Sequence, residues 1–325
     1  MTKPHKALAG IMACVFFWGF SFVSTKIALV FFPPMILAAL RFGLAVIFLW
    51  FLKKGSAPNE KMQKSDLPLL AGAGLFGATM YFSFENKGLT LIPASEASII
   101  TAAIPILTLI AERAEERILS LRGRKGRAAG SAGRDYLVYK IVIPGAGAVI
   151  SLTGVILVAG VSFSISGAAR GYLFMVGACF SWVIYCFLTR PLFARHSRIF
   201  IVFWQSLIGF LGFLPSAFYE AFLGNHFEWR MPGPGTWCHI LFLGICCSAL
   251  GYSFYARALE ALGPGAASLF LNFVPVISVV GGYFVLGERM RPLQFLGGAL
   301  VLAGVYLAMS VNGRKAAGDK ERHDQ

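Results

Sequence analysis

The stretch that decides the fold is residues 261–289, which read ALGPGAASLFLNFVPVISVVGGYFVLGER. It is an apolar run with a proline, Pro275, near its middle and a polar side chain, Asn272, one turn earlier. A soluble helix rarely carries proline at its centre, because the ring removes a hydrogen bond and clashes with the preceding turn. In a membrane helix, neighbouring groups or cavity water can satisfy the freed carbonyl. The stretch therefore indicates a bent helix that spans a membrane.

A second stretch, residues 91–117 (LIPASEASIITAAIPILTLIAERAEER), repeats this pattern. An offset of 170 residues places Pro105 on Pro275 and Ser98 on Ser268. Two copies of such an unusual helix predict an internal duplication.

The composition is that of an integral membrane protein. Of the 325 residues, 57% are hydrophobic and 14% are charged, whereas a soluble protein carries about 25% charged residues. The net charge of +14 does not indicate nucleic-acid binding, because the basic residues lie between apolar runs. The six cysteines lack metal-ligand spacing, so we expect no metal and no cofactor. No HExxH, GxSxG or GxxxxGK[ST] motif occurs, so we expect no enzyme and no ATP-driven pump.

Apolar runs of about 18–20 residues predict spanning helices. Ten occur, at 7–25, 34–52, 67–85, 95–112, 141–160, 171–188, 199–219, 237–255, 264–286 and 293–310. The predicted fold class is all-α, with five helices in each half. Because five is odd, the halves insert in opposite directions and form an inverted repeat around a central cavity. The predicted units are a first repeat at 1–160, a second at 161–312 and a polar tail at 313–325.

The distribution of Lys and Arg predicts the orientation. With both termini on one side, that side carries 22 Lys and Arg residues and the other side carries 6. The bias predicts a multi-pass protein of the plasma (cytoplasmic) membrane with both termini in the cytoplasm. The halves align again near their ends at an offset of 150, so the first half holds about 20 extra residues, in the basic loop 113–140. We interpret this loop as a solvated cytoplasmic insertion, with contact to anionic lipid as the alternative.

Several motifs stand in order along both halves. They are Trp18-Gly19 with Ser21 and Lys26, Ala38 to Phe42, Thr90 with Ala94 to Ser98 before Pro105, Gly263 with Ala266 to Ser268 before Pro275, Gly287-Glu288-Arg289, and Gly297 to Val305. Over residues 7–310 the chain resembles the EamA-type branch of the drug/metabolite transporter superfamily. The resemblance implies ten helices around a central cavity and alternating-access transport of small metabolites, often the export of amino acids or related compounds. The loop 113–140 is longer than in that family, and Trp182-Val183 replaces a second tryptophan-glycine pair.

Ionisable groups inside a membrane are expensive, so they are candidates for the substrate site. Arg41 lies about two turns into the second predicted helix and is the clearest candidate. Its alternative role is to hold helix packing through a backbone carbonyl. Glu85 ends the third predicted helix, where it either titrates a proton during transport or pairs with a nearby cation such as Lys87.

A second group of candidates offers aromatic faces and uncharged hydrogen bonds, which suit a cavity for a small amphipathic solute. The alternatives are anchoring at the membrane interface and polar stitching between helices. We expect the two prolines to act as bends that line or gate the site. These further candidates are Trp18, Tyr81, Thr101, Pro105, Trp182, Tyr185, Gln205, Tyr252, Tyr255, Asn272 and Pro275.

The sequence thus predicts a transporter of small organic metabolites that exports amino acids or related compounds. Its expected partners are a small-molecule substrate and the lipid bilayer, without nucleic acid, and the chain is either a monomer or a homodimer. One alternative is a nucleotide-sugar or sugar-phosphate exchanger of the same superfamily. A membrane-embedded enzyme or a scaffold is the alternative from another class.

Overall fold

The computed structural model describes residues 3–56, 60–121, 143–159, 167–223, 230–304 and 306–307, and every regular element within them is helical. The elements in chain order are α1 (Lys3–Ala28), α2 (Pro34–Ser56), α3 (Lys64–Leu91), α4 (Ala94–Thr101 and Ile104–Leu121), α5 (Ile143–Ala159), α6 (Gly167–Thr189), α7 (Arg198–Leu223), α8 (234–262), α9 (264–286) and α10 (Pro292–Gly304). Most of the predicted basic insertion, the boundary between the predicted repeats and the whole predicted tail lie outside the described residues.

Seven helices of the described part, α1 to α4 and α6 to α8, are long and apolar enough to cross a membrane. Shorter apolar helical segments span Phe270–Leu286 and Pro292–Gly304. The regular structure of the described residues is therefore entirely helical, as in an integral membrane protein. Between α8 and α9 the chain turns at Gly263, whose φ of 80° lies in the left-handed region that favours glycine.

Helix α3 is longer than predicted. It was expected to end at Glu85, but it continues to Leu91. Asn86 is buried and donates from Nδ2 to the Pro34 carbonyl at 2.8 Å, so this polar residue packs against the start of α2. The helix ends only where Ile92 becomes extended (φ −131°) in front of Pro93, because a residue before proline disfavours the helical conformation.

Helices α3 and α8 share a local irregularity. A π-helical segment occupies Leu75–Met80 in α3, and another occupies Phe242–Gly251 in α8. Each ends directly before a buried tyrosine, Tyr81 or Tyr252, and these tyrosines stand 171 residues apart. The feature recurs at nearly the offset that aligns the two proline helices.

Helices α5 and α10 meet through glycine. A Cβ atom on Gly154 would lie 2.5 Å from the carbonyl oxygen of Gly297, and one on Gly304 would lie 2.5 Å from that of Gly147. Only glycine permits this approach of two helix backbones. The glycine pairs therefore serve packing within one chain.

Outside the membrane-spanning helices, Glu60 holds the start of α7. It accepts hydrogen bonds from the Ser197 backbone N–H at 2.8 Å and from the Ser197 hydroxyl at 2.6 Å. Its Oε1 also lies 2.9 Å from Nδ1 of His196, whose Nε2 lies 2.9 Å from the Asp66 carboxylate. Burial acts to raise the pKa of Glu60, but the hydrogen bonds from Ser197 and His196 outweigh it and hold that pKa below its usual value.

Candidate functional site

Two interrupted helices cross at the centre of the molecule. Helix α4 breaks at residues 102–103, and α9 passes through a 3-10 turn at Phe270–Phe273. In each case the proline is the second residue of the helix that resumes, Pro105 after Ile104 and Pro275 after Val274. A proline in the first turn of a helix removes an N–H that has no partner in the helix anyway. The breaks therefore lie just before the prolines.

A cavity lies where these breaks face α1, α2, α3, α6 and α8. Its wall is formed by Trp18, Ser21, Phe22, Arg41, Tyr81, Phe82, Glu85, Thr101, Ile104, Trp182, Tyr252, Leu271 and Val274. The space open to the centres of water molecules is about 40 Å³. That is room for a few waters and too little for an amino acid. The cavity is therefore narrow in this conformation.

Arg41 is held in place on the cavity wall. Its side chain is buried, with 1% of the residue exposed. Nε donates to the Ser248 hydroxyl at 2.9 Å, and the guanidinium carbon lies 4.2 Å from the centre of the Phe82 ring. Its Nη1 has no hydrogen-bond partner among the described residues. The guanidinium is thus anchored at one end, and the other end has unused hydrogen-bonding capacity.

Glu85 is the acidic counterpart on the same wall. It lies within α3 instead of at its end, and 2% of the residue is exposed. Tyr81, one turn earlier on α3, lines the same cavity, and the charge of Arg41 acts on the Glu85 carboxyl group. Oε1 has no hydrogen-bond partner among the described residues. The cavity therefore contains one acid and one base, and each has an unused polar atom.

The predicted aromatic residues form one continuous cluster. Trp18 and Trp182 meet edge to face, with ring centres 5.1 Å apart at 88°. Tyr252 packs 5.5 Å from Trp18, and its hydroxyl donates to the Gly77 carbonyl at 2.5 Å, which joins α8 to α3. Tyr81 lies 5.2 Å from Trp182. These four rings present apolar faces to the cavity, an arrangement suited to an amphipathic solute.

Other candidates support the wall from behind. Tyr255 is fully buried and accepts a hydrogen bond from the Trp182 indole at 3.4 Å. Tyr185 is also fully buried and accepts one from Gln205 Nε2 at 3.3 Å. The half-buried Asn272 lies on the 3-10 turn of α9 outside the lining set.

The structure thus brings seven predicted residues to the cavity wall, namely Trp18, Arg41, Tyr81, Glu85, Thr101, Trp182 and Tyr252. Six predicted residues are not in its lining, namely Pro105, Tyr185, Gln205, Tyr255, Asn272 and Pro275. Pro275 instead lines a separate apolar pocket between α4, α9 and α10. The residues beside the two helix breaks line the cavity, in the place that was expected for the two prolines.

Sequence reasoning missed six of the wall residues and Ser248, which anchors Arg41. The missed lining residues are Ser21, Phe22, Phe82, Ile104, Leu271 and Val274. The repeat offset of 170 was a usable signal for three of them, because it pairs the predicted Thr101 with Leu271 and pairs Ile104 with Val274.

Comparison with known proteins gives a consistent result. A sequence model described as the EamA-like transporter family matches residues 5–115 and 169–310. An uncharacterized transporter of Archaeoglobus fulgidus is 28% identical over 300 residues, which cover 91% of this chain and 95% of the relative.

Two further relatives have more specific names. A probable terminal-alkyne amino-acid exporter of Streptantibioticus cattleyicolor is 26% identical, with 94% of each chain covered. A probable amino-acid metabolite efflux pump of Escherichia coli is 24% identical, with 94% of this chain and 95% of the relative covered. A solved crystal structure shares the fold with a TM-score of 0.62 at 19% identity, covering 95% of this chain and 99% of the other.

Proposed function

Because the chain belongs to the EamA-like transporter family, whose model matches most of its length, we propose that it exports amino acids or closely related metabolites. The cavity between the two broken helices is the substrate site. Relatives named as amino-acid exporters or efflux pumps support this substrate class at about one-quarter identity.

One observation carries the proposal, namely that Arg41 and Glu85 line the same buried cavity. A free amino acid carries a carboxylate and an ammonium group on neighbouring atoms. Arg41 Nη1 offers the unpaired donor that a carboxylate requires, and Glu85 Oε1 offers the unpaired acceptor that an ammonium requires. The tryptophan and tyrosine rings then cover the apolar part of the solute. Charges this deeply buried are costly and are retained for function.

The membrane architecture that fits this role has ten spanning helices, α1 to α10, in two inverted repeats at 1–160 and 161–312. The recurrence of the broken proline helix and of the π segment before a tyrosine supports this duplication. The excess of Lys and Arg on one side supports cytoplasmic termini in the plasma membrane. Each chain encloses its own cavity, so both a monomer and a homodimer would carry a complete site.

The size of the cavity supports alternating access. A volume of about 40 Å³ does not admit an amino acid, so the site must widen to bind one. Rocking of one repeat against the other around the cavity would open it to one side at a time.

The test is flux of labelled amino acids in proteoliposomes, with and without a pH gradient, for the wild type and Glu85→Gln. We expect wild-type flux to depend on the gradient and the variant to lose that dependence. Gradient-independent flux that persists in Glu85→Gln would return Glu85 to a structural role. Absence of flux for every amino acid in vesicles with folded protein would refute the proposed substrate class.

The alternative of a sugar-phosphate exchanger makes a different demand on the site. A phosphate dianion requires several basic groups, and Arg41 is the only base among the described cavity residues. Sugar phosphates and nucleotide sugars serve as competitors in the same flux assay, in which we expect them not to inhibit.

A further inference from the structure

The two broken helices hold each other's first turns through glutamates. Glu288, which follows α9, accepts hydrogen bonds at the start of α4, from Ala94 N–H at 2.8 Å to Oε1 and from Ser95 N–H at 3.0 Å to Oε2. The Ser95 hydroxyl also donates to Oε2 at 2.6 Å. In return, Glu112 of α4 accepts a hydrogen bond from Gly265 N–H at the start of α9, at 3.0 Å. Each carboxylate also complements the positive end of a helix dipole.

Glycine makes room for each of these carboxylates. A Cβ atom on Gly265 would lie 2.5 Å from Oε2 of Glu112, and one on Gly282 would lie 2.8 Å from Oε2 of Glu288. Gly287, at φ 67°, ends α9 in the left-handed conformation that turns the chain towards Glu288. Both contacts are therefore fitted into the backbone of α9.

The two contacts lie on opposite sides of the cavity. On α4, the Glu288 contact is at residues 94–95 and the Glu112 contact is 17 residues further on. At 1.5 Å per residue this separation is about 25 Å, close to the hydrocarbon thickness of a bilayer. The break at 102–103, which faces the cavity, lies between them.

We propose that Glu288 and Glu112 are the latches of the two gates of the transporter, one at each membrane face. The inference rests on the proposed transport function and adds the groups that control access to its site. Both contacts are formed in this conformation, in which the cavity is narrow. Release of one latch while the other holds opens the cavity to one side only. With the orientation inferred above, Glu288 closes the outer gate and Glu112 the cytoplasmic gate.

The chain also offers a matched control. Glu220 accepts hydrogen bonds from the N–H groups of Met35 at 2.7 Å and Ile36 at 3.3 Å, at the start of α2. This contact has the same chemistry, but it holds the start of an unbroken helix and involves neither α4 nor α9. Its removal should weaken folding without opening the cavity.

The experiment measures access to the cavity from each side. Thr101→Cys supplies a thiol on the cavity wall, and the exposed Cys238 is replaced by serine. The probe is a membrane-impermeant maleimide, applied to intact cells for the outer face and to inside-out vesicles for the inner face. The Cys238→Ser chain with Thr101 intact gives the background of the remaining native cysteines, of which four are buried and Cys246 is half-buried.

We expect Glu288→Ala, which removes three hydrogen bonds, to raise the labelling rate from the outer face at least roughly tenfold, the weight of a single charge-assisted hydrogen bond, and to leave the inner rate unchanged. Glu112→Ala should do the reverse. Gly282→Ala and Gly265→Ala should act in the same directions as their neighbouring glutamate variants, because they displace the carboxylates without removing a charge. Glu220→Ala should change neither rate.

Equal labelling from both faces, no change, or the same effect in Glu220→Ala would overturn the latch proposal. An interchange of the two faces would uphold the latches and overturn the assigned orientation. The labelling does not involve a transported solute, so it separates the two hypotheses. Sided labelling without amino-acid flux refutes the substrate class, and flux without sided labelling refutes the latches.

Discussion

Replacement of Ser248 by alanine tests the role of Arg41 most directly. The Ser248 hydroxyl accepts the hydrogen bond from Arg41 Nε, and the guanidinium is otherwise surrounded by the Phe82 ring and the cavity. A hydrogen bond to a charged group is worth about 1.5–3 kcal/mol in soluble proteins, and hydrogen bonds between membrane helices average about 0.6 kcal/mol. We therefore assign this contact about 1–2 kcal/mol.

If Arg41 binds the carboxylate of the solute, loss of its anchor weakens binding by up to this free energy, because binding must then order the guanidinium. That corresponds to about 5–30-fold in Kd. The assay is a fluorescence titration in detergent with the amino acid that shows the highest flux, because Trp18 and Trp182 line the cavity. Ser253→Ala is the control, since that hydroxyl donates to the Ala249 carbonyl of its own helix at 2.7 Å and does not touch Arg41.

A double-mutant cycle sharpens the test. Arg41→Lys keeps the charge but has no guanidinium Nε, so it cannot bond to Ser248 in the same geometry. In an Arg41→Lys background, Ser248→Ala should therefore add little to the loss of affinity. Additive losses from the two changes would refute the reasoning, because they would mean that the residues act independently.

Three further predictions concern stability, measured as the thermal unfolding temperature in detergent. Gly154→Ala should lower the unfolding temperature, because forcing a methyl group against the backbone of α10 costs about 1–3 kcal/mol. Gly55→Ala, whose Cβ would have no atom within 4 Å, should leave the unfolding temperature unchanged. Tyr252→Phe should cost about 1 kcal/mol, because it removes a buried hydrogen bond between α8 and α3, while the same change at the exposed Tyr283 should be neutral. The hydrogen bonds that lower the pKa of Glu60 stabilise the fold above the unfolded-state pKa of this residue, and this contribution is lost as pH falls through the folded-state pKa. The wild type should therefore lose stability in acid more steeply than Glu60→Gln. Equal slopes of stability against pH would contradict this.

The charged residues of the candidate site were predictable because the cost of placing a charge in the membrane does not depend on distant partners. An arginine within an apolar run is costly wherever the helix faces, so Arg41 stands out from sequence alone. Trp18 and Trp182 were identified by their equivalent places in the two halves, and the structure places both on the cavity wall.

Other features were hidden because they depend on the direction of a side chain or on distant partners. The π segment that ends at Gly251 changes the number of residues per turn, so a regular period does not show which of Tyr252 and Tyr255 faces the cavity. Ser248 resembles any serine in an apolar helix. Glu288 and its partner Ala94 stand 194 residues apart. The offset that aligns the two prolines does not align Glu288 with Glu112.

The glycine contact between α5 and α10 has a consequence for biosynthesis. The carbonyls that Gly154 and Gly304 approach belong to helices synthesised about 150 residues apart, so α5 is complete long before α10 leaves the ribosome. Until then the glycine face of α5 lacks the partner that it contacts in the folded chain. The first half therefore completes its packing only when translation has nearly ended, and a chain that ends before α10 lacks this contact.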